Sequence, residues 1–167
     1  TGSSTLNYDG VVYSGDLSGI SIGNQPVWFE QFSKPESDIL AKSSWKEKIE
    51  AIVEQAPLWD VGSVAGVPAW VQIIFEEIIH KYNLKTIHDI WPNLNVYIHG
   101  GVAIEPYKKS LKKLFGREVM YMETYLASEG FLSYQYKSDS PGMRLFLNNG
   151  IYFEFVPFDQ DHFDENF

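Results

Sequence analysis

The sequence contains no cysteine. Disulfides, thiolate metal sites and cysteine nucleophiles are therefore excluded. No apolar run approaches the roughly 20 residues that a membrane helix needs. The opening "TGSSTLNYDG" has neither a basic end nor an apolar stretch, so it does not read as a signal peptide. Together these absences point to a cytoplasmic chain without a membrane partner. Positive charge is also scarce: the net charge is −9. That argues against generic nucleic-acid binding, which needs Lys and Arg to displace the counterions on phosphates. The clearest local basic patch is "PYKKSLKKLFGR", residues 106–117. Three motifs are missing as well: a Gly-Lys-Ser/Thr phosphate loop, the fully spaced dinucleotide glycines, and a glycine-flanked hydrolase serine. The four histidines show no His-x-x-x-His spacing, so no zinc site is expected.

Apolar material, by contrast, is plentiful. Of 167 residues, 44 % are apolar and 16 % aromatic, enough to fill the core of one domain. Residues 11–23 read as a strand with turns. Ser44 and Glu47 have capping-box spacing, and Trp45, Ile49, Ile52 and Val53 follow at helical spacing until Pro57. A short strand then runs to Gly66. Pro68 opens a helix whose apolar residues cover much of its circumference, with Asn83 as its stop. A strand ends in Gly100-Gly101, and a lysine-rich helix buries Tyr107, Leu111, Leu114 and Phe115, with Gly116 as its cap. Strands follow at 117–125 and 131–137, and then a hairpin turning at Asn149-Gly150. The tail, 158–167, is acidic and aromatic. Strands separated by helices imply parallel pairing. The expected fold is α/β: a mixed sheet with a parallel βαβαβ core flanked by helices, plus a C-terminal antiparallel hairpin.

In such sheets ligands sit at the carboxyl ends of strands. Gly66, Gly100-Gly101 and Ser128-Glu129 all fall there. Each has two readings. Gly100 and Gly101 turn the chain from strand to helix, or let a flat ligand lie on bare backbone. Ser128 and Glu129 form a turn with Tyr125 in the core. Alternatively, Tyr125 stacks on a base, Ser128 donates to a phosphate, and Glu129 holds Mg²⁺, which prefers oxygen ligands. His99, just before the glycines, is a candidate pocket residue. His88-Asp89 reads as a loop pair rather than a dyad, and Asp159, Asp161 and Asp164 as a solvated tail. The lysines at 108, 109, 112 and 113 read as a solvated helix face.

Three segments narrow these alternatives. "DVGSVAGVPAWVQIIFEEII", "IHDIWPNLNVYIHGGVAIEPYKKSLKKLFG" and "VMYMETYLASEGFLSYQ" occur in this order and spacing. Together they resemble the auxin-responsive promoter family, the acyl-acid–amido synthetases of the adenylate-forming superfamily, in its bacterial branch. The resemblance spans residues 15–157. It implies a two-step ligase: a carboxylic acid and ATP give an acyl-adenylate, and an amino acid or other amine then takes the acyl group. By position, it implies that Tyr125 stacks on adenine and that Gly100 and Gly101 line adenine's other face. Ser128 would contact the α-phosphate or the acyl carboxylate, and Glu129 would bind Mg²⁺. Val67, Pro68 and Trp70 would line the acyl-acid pocket.

The family's upstream phosphate loop, its downstream Tyr-Arg-x-Gly-Asp segment and its small C-terminal domain have no counterpart in these residues. The expectation is therefore the central part of a larger adenylate-forming domain, over residues 15–157, that cannot complete adenylation alone. Two rivals stand beside it: a non-catalytic module that binds a nucleotide or small acid, and a structural α/β domain without a ligand.

Overall fold

The computed structural model describes residues 7–8, 10, 13–14, 26–128, 130–138, 140 and 142–155. The strand expected over 11–23 is seen only at Tyr13–Ser14; Glu129 and the acidic tail lie outside the described residues. In chain order the elements begin with a two-stranded pair, β1 (Asn7–Tyr8) and β2 (Tyr13–Ser14). There follow α1 (Val27–Glu30), α2 (Ser37–Leu40), α3 (Trp45–Gln55), β3 (Ser63–Ala65), α4 (Pro68–Lys81) and β4 (Val96–Gly100). The last are α5 (Glu105–Leu114), β5 (Met120–Ala127), β6 (Gly130–Tyr134) and β7 (Arg144–Leu145).

Helix α3 begins after Ser44, whose carbonyl accepts the Lys48 N–H at 3.0 Å. The Ser44 side chain makes no cap bond, so the capping box expected with Glu47 does not form. The true box stands 42 residues on from Ser44: the Thr86 side chain and the Asp89 backbone, and the reverse, bond across one short 3₁₀ turn. Helix α4 carries Pro68 in its first turn, as expected. It closes at Asn83, which adopts φ +50°. There the Leu84 N–H reaches Ile79 O at 2.9 Å and the Asn83 N–H reaches His80 O, the paired bonds of a Schellman closure.

Helix α5 ends differently from the expectation. Phe115 is extended, and Gly116 is not among the described glycines with positive φ. Gly116 is small for another reason: a Cβ there would lie 2.6 Å from Thr86 Oγ1. Its N–H donates to His88 Nδ1 at 3.0 Å.

The main sheet runs β3-β4-β5-β6-β7. Its first two pairings are parallel and its last two antiparallel. The mixed α/β fold is thus the expected one, with a difference at the C-terminal side. The antiparallel strands are β6 and β7, and residues 151–155, after the Asn149-Gly150 turn, form no strand.

Alternation along the strands puts Val64, Tyr97 and Tyr121 on one face. Helices α4 and α5 pack on that face, where Tyr97, Phe75, Ile78, Leu94 and Leu111 are buried in one cluster. Phe75 meets Trp91 and Phe115 edge-on, with ring centroids 6.0 and 5.6 Å apart. Trp91 keeps its indole N–H satisfied by donating to Ala56 O at 2.9 Å. No helix among the described residues is long and apolar enough to cross a membrane.

Candidate functional site

The carboxyl ends of β3 and β4 meet, beside Thr124 of β5. Gly66, just past β3, donates its N–H to Ile98 O at 3.0 Å, and its carbonyl accepts the Tyr97 hydroxyl at 3.0 Å. The loop leading into α4 is therefore held to β4 from both sides. Val67 follows as the residue flanking the helix. Its Cγ2 is 3.8 Å from where a Cβ on Gly101 would sit. Gly66, Val67 and Gly101 thus adjoin.

The two glycines differ. Gly100 pairs with Thr124 in the parallel ladder, and a Cβ on Gly100 would lie 2.3 Å from the Thr124 carbonyl oxygen. The Thr124 hydroxyl also donates to His99 O at 3.1 Å, which draws β5 in at this point. The close approach of β5 therefore accounts for glycine at position 100 without a ligand. Gly101 has φ +81°, and among the described residues only Val67 lies within 4 Å of where its Cβ would be. Glycine is needed there for backbone conformation, and the space beside it is open.

Beyond Thr124, β5 continues past the end of β4. Tyr125 is 51 % exposed and sits where the β5–β6 register shifts. Such a bulge re-aims side chains and is common beside active sites. Ser128 lies in the exposed turn between β5 and β6. At about 3.3 Å per residue it stands roughly 13 Å along the chain from Thr124. Ser128 is thus at a hairpin tip, further from Gly100 than a shared strand end suggests. Glu129, the residue expected to hold a metal, lies outside the described residues. Among the described residues no group of three or more acidic or histidine side chains forms a metal cluster.

The expected acyl-pocket residues divide. Pro68 is fully buried, Val67 is half-buried, and Trp70 is 40 % exposed with its ring against Trp45 at 4.6 Å between centroids. His99 points inward. The residue is 97 % buried, its ring lies 5.6 Å from Tyr97 and 6.3 Å from Tyr121, and its Nδ1 has no hydrogen-bond partner among the described residues. Burial holds its pKa below the usual histidine value. Glu123 and Glu105 pull the other way, and Lys108 adds to the lowering.

His88 contrasts with it. Nδ1 accepts from Gly116 N–H, so Nε2 carries the proton and donates to Leu94 O at 2.8 Å. Asp89 Oδ2 accepts the N–H groups of Lys85 and Thr86, which hold its carboxyl below the ordinary range. The two side chains face different partners, and no dyad exists, as their sequence pattern indicates.

Two residues of this region escaped sequence reading. They are Tyr97 and Thr124, neither of which carries a motif of its own. Their roles at Gly66 and Gly100 depend on which strands become neighbours.

Comparison with known proteins decides the family. The model for the GH3 family N-terminal domain matches residues 4–120. The chain belongs to the GH3 family. This is the auxin-responsive, acyl-acid–amido synthetase family that the three segments resemble. The GH3 match covers Gly66, Val67, Gly100 and Gly101. It stops at the first residue of β5, so Tyr125, Ser128 and Glu129 rest on their local motif. No curated protein and no solved structure matches the chain.

Proposed function

We propose that this GH3 chain forms part of an ATP-dependent ligase that adenylates a carboxylic acid and passes the acyl group to an amine. The observation that carries this reading is the junction of the Gly66-Val67 loop with Gly101, with the half-exposed Tyr125 one residue beyond Thr124, the ladder partner of Gly100, within a GH3 domain. Open space over Gly101 and a half-exposed aromatic ring suit a flat base held between backbone and ring. Val67 and Trp70 would then face the acid, and His99 would act from beneath. Ser128 would donate to the α-phosphate or the acid carboxylate.

Chemically, a carboxylate oxygen attacks the α-phosphorus, the bond to the β-phosphate bridging oxygen breaks, and pyrophosphate leaves. The amine nitrogen then attacks the acyl carbon, loses a proton, and AMP leaves. Mg²⁺ bound at Glu129 would neutralise charge on the phosphates. Hydrogen-bond donors fixed where charge develops would lower the barrier further.

One specific observation favours a rival. Contact with Thr124 already accounts for Gly100. A domain holding a nucleotide without turning it over, or holding none, would keep that glycine too. Pyrophosphate exchange separates the readings. The intact protein with ATP, Mg²⁺ and a panel of carboxylic acids should return labelled pyrophosphate into ATP with at least one acid. Nucleotide binding without exchange for any acid would leave the binding module. Absence of both would leave the structural domain.

A further inference from the structure

At the opposite end of β5 a second cavity opens. It is a groove of about 780 Å³ between α5 and the start of β5, within the size range of small-molecule sites. Its floor is apolar: Phe115 and Val119 are buried, and Met120 and Tyr121 continue it. Its charged lining is mostly cationic, with Lys108, Lys112 and Arg117 against one acid, Glu118. This is unusual in a chain of net charge −9, which repels anions over most of its surface.

The cations are not all spent on neighbours. Lys108 pairs with Glu105 at 3.1 Å, and Arg117 is anchored through one guanidinium nitrogen to Pro92 O and Asn95 Oδ1. Lys112 has no ion pair or hydrogen bond among the described residues. The Tyr121 hydroxyl has no hydrogen bond among them either. Burial pushes its pKa up, so it stays a proton donor. All four lysines of α5 are exposed. Here Lys108 and Lys112, four residues apart, flank an apolar floor, while Lys109 and Lys113 lie outside the groove.

We propose that this groove binds a small organic anion. Lys108, Lys112 and Arg117 would hold a phosphate or carboxylate head, and a flat apolar body would lie on Phe115, Val119 and Tyr121. The groove opens at the far end of β5 from Ser128, although Tyr121 in its lining also meets the buried His99, ring centroids 6.3 Å apart. Seven residues of extended chain put Ser128 roughly 23 Å from Tyr121. It does not depend on the ligase reading.

Phenyl phosphate, benzoate and inorganic phosphate serve as probes in two-dimensional NMR titrations of the full chain. Phenyl phosphate, benzoate or both should give saturable shifts at Lys112, Phe115 and residues 119–121; the tighter of the two names the head group. Lys112→Glu should weaken that binding about fivefold or more, as expected for losing one close charge contact near a surface. Lys109→Glu makes the same charge change on the same helix outside the groove, and should weaken it less than about twofold at physiological salt. The spectrum of each variant reports its folding directly, and both positions are exposed. Three results would overturn the proposal: no saturable shift with either aromatic anion, equal losses in the two variants, or inorganic phosphate binding as tightly as phenyl phosphate.

Discussion

The parallel and antiparallel halves of the sheet solve the burial problem differently. From β3 to the start of β5, each strand is backed by a helix, and the buried cluster draws on α3, α4, α5 and the loops between them. Among the described residues none after Tyr121 belongs to that cluster. Past it, β6 and β7 gather Phe131, Tyr134 and Phe146 into ring contacts, yet Phe146 stays 42 % exposed and Tyr152 86 %. A βαβ unit brings its own cover, whereas a hairpin brings only its own side chains. The strand-end cluster sits at the seam. Its glycines belong to the well-packed half, and Tyr125 and Ser128 belong to the open one.

The contrast is broken most sharply by truncating one aromatic on each side. Phe75→Ala should cost about 3–5 kcal/mol in urea unfolding, because its ring is fully buried between Trp91 and Phe115. Phe146→Ala should cost less than about 1 kcal/mol. Equal losses would mean that the two halves share one core.

Glycines give the next largest effect. Gly100→Ala must push β5 away from β4 and should cost about 1–3 kcal/mol. Gly142→Ala meets nothing within 4 Å and should stay within about 0.5 kcal/mol by the same denaturation measurement. At the end of α4, Asn83→Ala should cost about 1 kcal/mol, because alanine is strained at φ +50°. Asn83→Gly should restore the stability to within a few tenths.

The smallest effect is on pH dependence. His99 has a folded pKa below its unfolded value of about 6.5. Between those two values the unfolded chain binds the proton and the folded one does not. Stability therefore falls as the pH drops below about 6.5, and levels off below the folded value. His99→Phe should flatten that part of the profile relative to wild type. An unchanged profile would show that His99 does not carry it.

Much of the parallel half was legible. Apolar spacing placed α3, α4 and α5, Pro68 and Asn83 marked α4's ends, and the alternation of strand and helix gave the pairing. Local chemistry at termini was less legible. Ser44 and Glu47 match a capping pattern that the chain does not use, and Gly116 looks like a helix cap but makes room for Thr86. The difference is physical. Periodicity sums over many residues, whereas one cap or one glycine depends on a single tertiary neighbour. The same limit applies at the site. Gly100 was legible as a residue that must be small, but the neighbour that requires it, Thr124, was not. Ser128 was legible as a turn or ligand residue, but the three residues by which β5 overruns β4 set its distance from the glycines.

The central claim is that Tyr125, one residue beyond the ladder partner of Gly100, is one wall of a nucleotide site. Titration calorimetry of Mg-ATP into the intact protein and into Tyr125→Ala tests it most directly. Loss of a stacked aromatic is worth about 1–3 kcal/mol per base, so the variant should bind roughly 5- to 150-fold more weakly. Tyr125 is half-exposed at a strand end, so its removal should leave the thermal midpoint almost unchanged. Wild-type protein that binds no Mg-ATP, or a variant that binds it as tightly as wild type, would contradict the account.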